Sequence, residues 1–329
     1  MRARSGIRSV FAARRPASRS RLGIDIGSAA VKIVELSCRR DAHRVEAFAL
    51  EPLRPGSVVR GSIHDAEAVG DAIRQACRRA RTRTRRTTVA VADSAVSTRT
   101  LKLDASLDDD ALATAVAHEA AEQLPFPVDD MAMDFEPMQL APDDPAKVEV
   151  LLAACRLEHV ARRREAIEHA GMKPYAAEVQ RYAVVRAIAH LAPVEMPVVV
   201  ADIGAATTTM LLVSGDGSVT AQEEPFDTGT SGFSTTDLLR LIARLLRVVA
   251  RSRPTSPINR LLLAGGAASI PAFAAQVSDH LRLTVETVDP FARMTTSRRI
   301  DSESLVEHAP ALLTATGLAL RGFVEDGTR

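Results

Sequence analysis

The sequence predicts a two-lobed α/β protein built by internal duplication, and three observations carry that expectation. The chain has 329 residues, 46% hydrophobic and 25% charged, an ordinary globular mixture with length for two domains of ~150 residues each. Strand-like and helix-like periodicities alternate along it. The order strand, Asp-Ile-Gly, strand, turn, strand occurs twice, beginning near Leu22 and near Val198, which points to two similar lobes facing each other. The 42 Lys and Arg against 41 Asp and Glu leave a net charge of +1, so no global field draws the chain to nucleic acid. With 3% aromatics and no Trp it offers no base-stacking platform. Cys38, Cys77 and Cys155 are far apart and form no CxxC pair, which fits the reducing cytoplasm. No apolar run approaches the ~20 residues of a bilayer span.

The first twenty-one residues carry seven Arg and no acid. They read as a basic disordered tail over 1–20, as an over-extended start, or as a contact with an anionic membrane face, where each basic residue contributes about 1 kcal/mol. Leu22 to Gly27, Ala30 to Ser37 and Val45 to Leu50 then read as a three-strand meander. From Asp65, a candidate N-cap, to Arg81, the residues Val69, Ile73, Ala76, Cys77 and Ala80 form one apolar helix face. Thr87–Ala92 and Ser97–Leu103 are β-branched strands. Asp108, Asp109 and Asp110 open a helix to about Leu124, stopped by Pro125-Phe-Pro127. Met131–Glu136 and Lys147–Cys155 are strands divided by a loop over Ala141-Pro-Asp-Asp-Pro145. Helices follow over Leu157–Ala170, ended by Gly171, and over Gln180–Leu191. Val198–Gly204 restarts the pattern, with strands at Thr207–Val213 and from Val219 around a Ser214–Gly217 turn. Thr236–Arg251 is a helix with a solvated stripe of Arg240, Arg244, Arg247 and Arg251. Arg260–Phe273 reads as strand, glycine turn and helix, and Ala309–Phe323 as a final helix.

The familiar catalytic motifs are absent. The chain has no GxxxxGK[ST] loop and no GxGxxG after the first strand. His118-Glu119 lacks a second zincin His, and Gly229-Thr-Ser-Gly232 is no GxSxG elbow. The paired Asp-Ile-Gly turns remain. Gly27 and Gly204, each after a buried strand, let backbone approach a ligand closely. Ser28 and Thr207, Thr208 and Thr209 add hydroxyl donors for phosphate oxygens. Asp25 and Asp202 can hold Mg²⁺ through water, and Lys32 can place a point charge on phosphate. Gly265-Gly266 suits a flat adenosine, and equally a simple turn.

Asp25-Ile-Gly-Ser28, Asp202-Ile-Gly-Ala-Ala-Thr-Thr208 and Leu263-Ala-Gly-Gly-Ala267 resemble the two phosphate motifs and the adenosine motif of the actin/Hsp70/sugar-kinase superfamily. More narrowly, Gly23–Leu36, Leu124–Asp130 with Asp134-Phe135, Asp289–Met294 and Ala315–Arg321 resemble the PilM family of actin-like type IV pilus assembly proteins, itself similar to FtsA. The resemblance covers almost everything from Arg21 onward. It implies a ribonuclease H-like duplicated, actin-like ATPase fold. Subdomain 1A would be 21–93 plus 157–196, an inserted 1C 94–156, and 2A 197–329. It implies ATP and Mg as cofactors, with Asp25 and Asp202 at the metal. Gly27, Ser28, Lys32, Gly204, Ala205, Thr207 and Thr208 would lie at the phosphates, and Gly265, Gly266 and Ala267 at the adenosine. Gln180 falls where the superfamily carries a Gln or Glu beside the attacking water, although a polar residue opening a helix explains it as well.

One departure bears on activity. The helical subdomain 2B that roofs the nucleotide is reduced to a short loop near 227–235, and catalysis depends on such water exclusion. Weak or absent ATP hydrolysis is therefore expected. The resemblance implies a cytoplasmic scaffold, peripheral at the inner-membrane face, that binds the N-terminal peptide of PilN in a groove between 1A and 1C. Phe126 is a candidate contact there, or else a hydrophobic plug after its helix. The alternatives are an active ATPase or small-molecule kinase of the superfamily, and a type II secretion or cell-division scaffold.

Overall fold

The computed structural model describes residues 20–191, 197–215, 218–228, 234–252 and 258–324. The basic tail up to residue 19, the tip of the turn after Ser214, and residues 229–233 of the short connection lie outside the described residues.

The chain opens with β1 (Ser20–Ile26), β2 (Ala30–Arg39) and β3 (Ala42–Pro52), an antiparallel meander as expected. A small hairpin, β4 (Val58–Val59) and β5 (Ser62–Ile63), leads into α1 (Ala66–Arg79). Asp65 caps that helix, accepting from the Ala68 amide at 2.9 Å, as its spacing predicts. After β6 (Arg86–Val91) and a 3-10 turn over Asp93–Ala95 come β7 (Val96–Asp104), α2 (Asp109–Gln123), β8 (Met131–Ala141) and β9 (Asp144–Arg156). The Asp108 carboxylate caps α2 through the Ala111 amide at 2.8 Å. β7, β9 and β8 make a separate antiparallel sheet, with Leu112, Val116 and Ala120 of α2 packed on Leu101, Val150 and Leu152. The expected loop over Ala141–Pro145 is shorter than its composition suggests. Pairing runs on to Ala141↔Asp144, because Pro142 sits in the turn and Pro145 falls at the start of β9, beyond its pairing with β7 and where its register with β8 is irregular.

The chain then returns through α3 (Leu157–His169) and β10 (Lys173–Val179) to α4 (Gln180–Leu191). Gly171, at φ +73°, makes the left-handed turn after α3. β10, which the hydrophobic pattern does not reveal, pairs parallel to β6. The second half builds β11 (Val198–Ile203), β12 (Thr207–Val213), β13 (Val219–Pro225), α5 (Thr235–Arg251), β14 (Arg260–Ala264), α6 (Phe273–Leu281) and β15 (Thr284–Thr287). It closes with β16 (Thr295–Thr296), α7 (Ser302–His308) and α8 (Leu313–Val324). The predicted final helix starts late, because a 3-10 turn over Ala309–Leu312 carries Pro310 before α8.

The two large sheets have strand orders β10-β6-β1-β2-β3-β16 and β13-β12-β11-β14-β15. In each, a three-strand meander is continued on its first strand by two parallel strands, so the duplication read from the sequence is a repeat of topology. α4 and α8 lie between the sheets. Val184 and Ile188 pack on Val200 and Leu262 of the second sheet, while Ala315 and Ala319 pack on Val34 and Leu36 of the first. Glycines allow this closeness: a Cβ on Gly317 would come 1.8 Å from the Ala183 carbonyl oxygen, and one on Gly23 would come 2.0 Å from that of Ala315. The expected second lobe over 197–329 therefore ends early as a packing unit. β16 pairs with β3 and α8 covers β1, because the apolar face of α8 matches the face of the first sheet that is turned toward the second. Among the described residues no helix is long and apolar enough to cross a membrane.

Candidate functional site

The two Asp-Ile-Gly turns close identically. The Gly27 amide donates to the Ala30 carbonyl at 3.1 Å and the Gly204 amide to the Thr207 carbonyl at 2.9 Å, leaving two-residue tips, Ser28-Ala29 and Ala205-Ala206. These glycine amides are therefore consumed by the turns and are not donors for a ligand. The second tip is held from outside, where Thr228 donates its hydroxyl to the Gly204 carbonyl at 2.9 Å and its amide to the Ala205 carbonyl at 2.8 Å.

Cross-strand register puts Lys32 opposite Asp25, and its Nζ lies 3.0 Å from the buried Asp25 Oδ2. Burial opposes the Lys32 charge, but Asp25 and, across the cleft, Asp202 outweigh it and raise the pKa. Opposite Asp202 stands Thr209 instead of a cation. Burial pushes the Asp202 carboxyl up to about 6, with Asp25 and Asp93 adding repulsion, while Lys32 and a hydrogen bond from Gln180 pull the other way. Carboxylates far apart in sequence thus share one lysine. Gln180 opens α4, which aims that side chain at Asp202; engaged there, its amide is not free to orient a water.

Two further contacts close the cleft, and the sequence reading missed both. Arg181 pairs with the buried Asp93, whose pKa burial raises despite that partner. Across the lobes, the hydroxyl and amide of Ser94 hydrogen-bond Glu223 on β13, whose pKa burial also raises. The available signal was that β6 is also followed closely by an acid, in Val91-Ala-Asp93, much as β11 reads Val200-Ala-Asp202.

Among the other sequence-predicted residues, Thr207 shares the cleft-side face with Asp202, but Thr208 does not. Alternation along β12 turns Thr208 towards the second-lobe core, where it is fully buried and its hydroxyl has no partner among the described residues. Gly265, at φ +84°, donates its amide to the Pro310 carbonyl at 2.9 Å, and a Cβ there would lie 2.3 Å from the Ile203 oxygen. Ala267 is buried in the same core. Only Gly266 offers surface, with nothing within 4 Å of where its Cβ would stand. Phe126 packs on the core of the three-stranded sheet, with the Arg156 guanidinium 5.7 Å from its ring centroid.

A second concavity lies between the three-stranded sheet and the free edge of β10. It is a groove with a cavity of about 50 Å³, walled by Val91, Val96, Ala132, Cys155, Ala177 and Val179. Phe126 is not among its lining residues. Glu178 and Arg321 form its polar floor. The Glu178 carboxylate takes two hydrogen bonds from Arg186, at 2.6 and 2.8 Å, and one contact from Arg321 at 3.1 Å. Burial raises its pKa, but the two guanidiniums outweigh burial and lower it.

Twin ribonuclease H-like sheets, a helix pair between them and acidic turns converging across a cleft define an actin-like fold. The family model for type IV pilus assembly protein PilM matches residues 23–231 and 231–323, and the chain belongs to that family. Among solved structures it is similar to a chain of the PilM-PilN type IV pilus biogenesis complex, with 28% identity, a TM-score of 0.76, and coverage of 93% of this chain and 99% of that one. A glycerol dehydratase reactivase is more distant, with 11% identity, a TM-score of 0.50, and coverage of 92% and 100%. The ethanolamine utilization protein EutJ from Carboxydothermus hydrogenoformans matches with 15% identity, a TM-score of 0.49, and coverage of 94% and 92%.

Proposed function

We propose that this chain is a scaffold of type IV pilus assembly that holds the N-terminal segment of a PilN-like membrane protein in the groove beside β10, and so works at the cytoplasmic face of the inner membrane. The groove is the observation that carries the reading. It joins an apolar lining to the free edge of β10, which suits an extended peptide paired through its backbone with side chains in apolar pockets. The family and the similar PilM-PilN complex support that partner. In these terms the three-stranded sheet is the inserted subdomain 1C.

The cleft residues fit Mg·ATP in part. Asp25 and Asp202 would hold the metal through water, Lys32 and the tips at Ser28 and Ala205 the phosphates, and the open surface at Gly266 the adenosine; bound, the cofactor supplies phosphoryl-transfer chemistry. Turnover is not expected. Only nine residues, 226–234, join β13 to α5, and the family match is interrupted within them at 231, which supports loss of the roofing subdomain 2B. Gln180 and Lys32 are already engaged by Asp202 and Asp25.

Calorimetric titration of the full chain with the PilN N-terminal peptide of the same organism tests the reading. Saturable one-to-one binding, lost at least tenfold in Val96→Arg, is expected. Binding that Val96→Arg leaves unchanged contradicts the groove as its site.

A further inference from the structure

The groove and the cleft share two short pieces of chain. In the first, Val91 and Val96 line the groove. Between them Asp93 takes the Arg181 ion pair and Ser94 hydrogen-bonds Glu223 of the other lobe. In the second, Ala177, Glu178 and Val179 line the groove, and the next two residues turn to the cleft, Gln180 onto Asp202 and Arg181 onto Asp93. Val179 is bonded directly to Gln180, and a single alanine separates Val91 from Asp93 and Ser94 from Val96, so a few planar peptide units join the groove-facing residues to the cleft-facing ones. Close-packed interiors do not absorb displacements of such segments locally, so a change on one side must be felt on the other.

We propose that Asp93, Ser94, Arg181 and Glu223 are positioning residues for the peptide groove. Closing the lobes through Ser94–Glu223, with Arg181–Asp93 clamping the start of α4 to the same turn within the first lobe, fixes the spacing of Val91, Val96 and Val179, and a seated peptide tightens the lobes in return. The inference rests on the peptide reading of the groove. Glu223 touches the groove through no side chain of its own. It acts by holding the turn at Asp93–Ala95 from the opposite lobe, and thermodynamic linkage requires the effect to run both ways.

The test uses the full chain and the same peptide, titrated into wild type, Glu223→Ala, Ser94→Ala and a control, Arg244→Ala, which removes an exposed ion pair with Glu224 on the same strand. Peptide affinity falls about fivefold or more in Glu223→Ala and Ser94→Ala, at the lower end of allosteric couplings, and is unchanged in the control. Hydrogen exchange on wild type supplies a readout that needs no variant: the peptide slows exchange of the β13 amides in the distal lobe. Peptide binding that is equal in all four proteins, with β13 exchange indifferent to peptide, overturns the inference alone. Failure of the peptide to bind wild type overturns the groove reading and this inference with it.

Discussion

The two lobes share a strand order and a turn geometry, and they differ in how they manage one carboxylate. In the first lobe the acid at the turn is answered from within its own sheet, because Lys32 stands directly across from Asp25. In the second lobe the same lattice position holds Thr209, and Asp202 depends on Lys32 and Gln180 from outside. Duplication of a backbone has therefore not duplicated the chemistry. The second turn is incomplete alone, and the cleft becomes electrostatically tolerable only where the lobes meet. The lobes differ as well in what they carry: the first holds an entire inserted sheet after β6, while the second passes from β13 to α5 in nine residues.

The largest expected effect breaks the joint between the lobes. Gly317→Ala puts a methyl 1.8 Å from the Ala183 oxygen, which only a backbone shift of α4 against α8 can relieve. Denaturant unfolding should show a loss of several kcal/mol. Gly56→Ala, at φ +84° with open space around it, should cost only about 1 kcal/mol.

Next comes the floor of the groove. Glu178→Ala leaves Arg186 and Arg321 buried without their carboxylate, and chemical denaturation should register a loss of about 3–5 kcal/mol.

The pH-dependent effect sharpens the comparison most, because its sign differs between the lobes. Asp202 has a folded pKa of about 6 against an ordinary 3.8, so the fold binds its proton more tightly than the unfolded chain does. Its ionisation costs nothing below about pH 4, and the cost grows to a plateau above pH 6. Asp202→Asn should therefore raise stability at pH 8 by about 3 kcal/mol, a gain that vanishes at pH 4. Asp25→Asn removes the direct partner of Lys32 and should lower stability at pH 8. Unfolding midpoints for both variants across pH 4–8 check the contrast.

Much of this was legible in the sequence because local signals and tertiary structure agree. The meanders, the Asp65 cap, the acidic opening of the helix at Asp108–Asp110 and the repeated turn all rest on residue patterns within a few positions of each other. β10 was not legible. Lys173–Val179 carries little apolar alternation, and it is a strand because β6 offers it an edge. In the cleft, the convergence of Asp25 and Asp202 followed from the repeat, and Gln180 was placed beside them only by the family resemblance. The Ser94–Glu223 contact did not, since it depends on how the lobes are set against each other, and neither did Arg181–Asp93, which depends on how α4 is set against the turn after β6. Thr208 was misplaced for a simple reason: in a run of three threonines, residue type cannot say which face each takes.

The most direct test of the scaffold reading measures bound PilN peptide and released phosphate in one preparation supplied with Mg·ATP. Saturable peptide binding, with phosphate release no greater than in Asp202→Ala, is the result expected. ATP turnover that Asp202→Ala abolishes, in a protein with no affinity for the peptide, would contradict it.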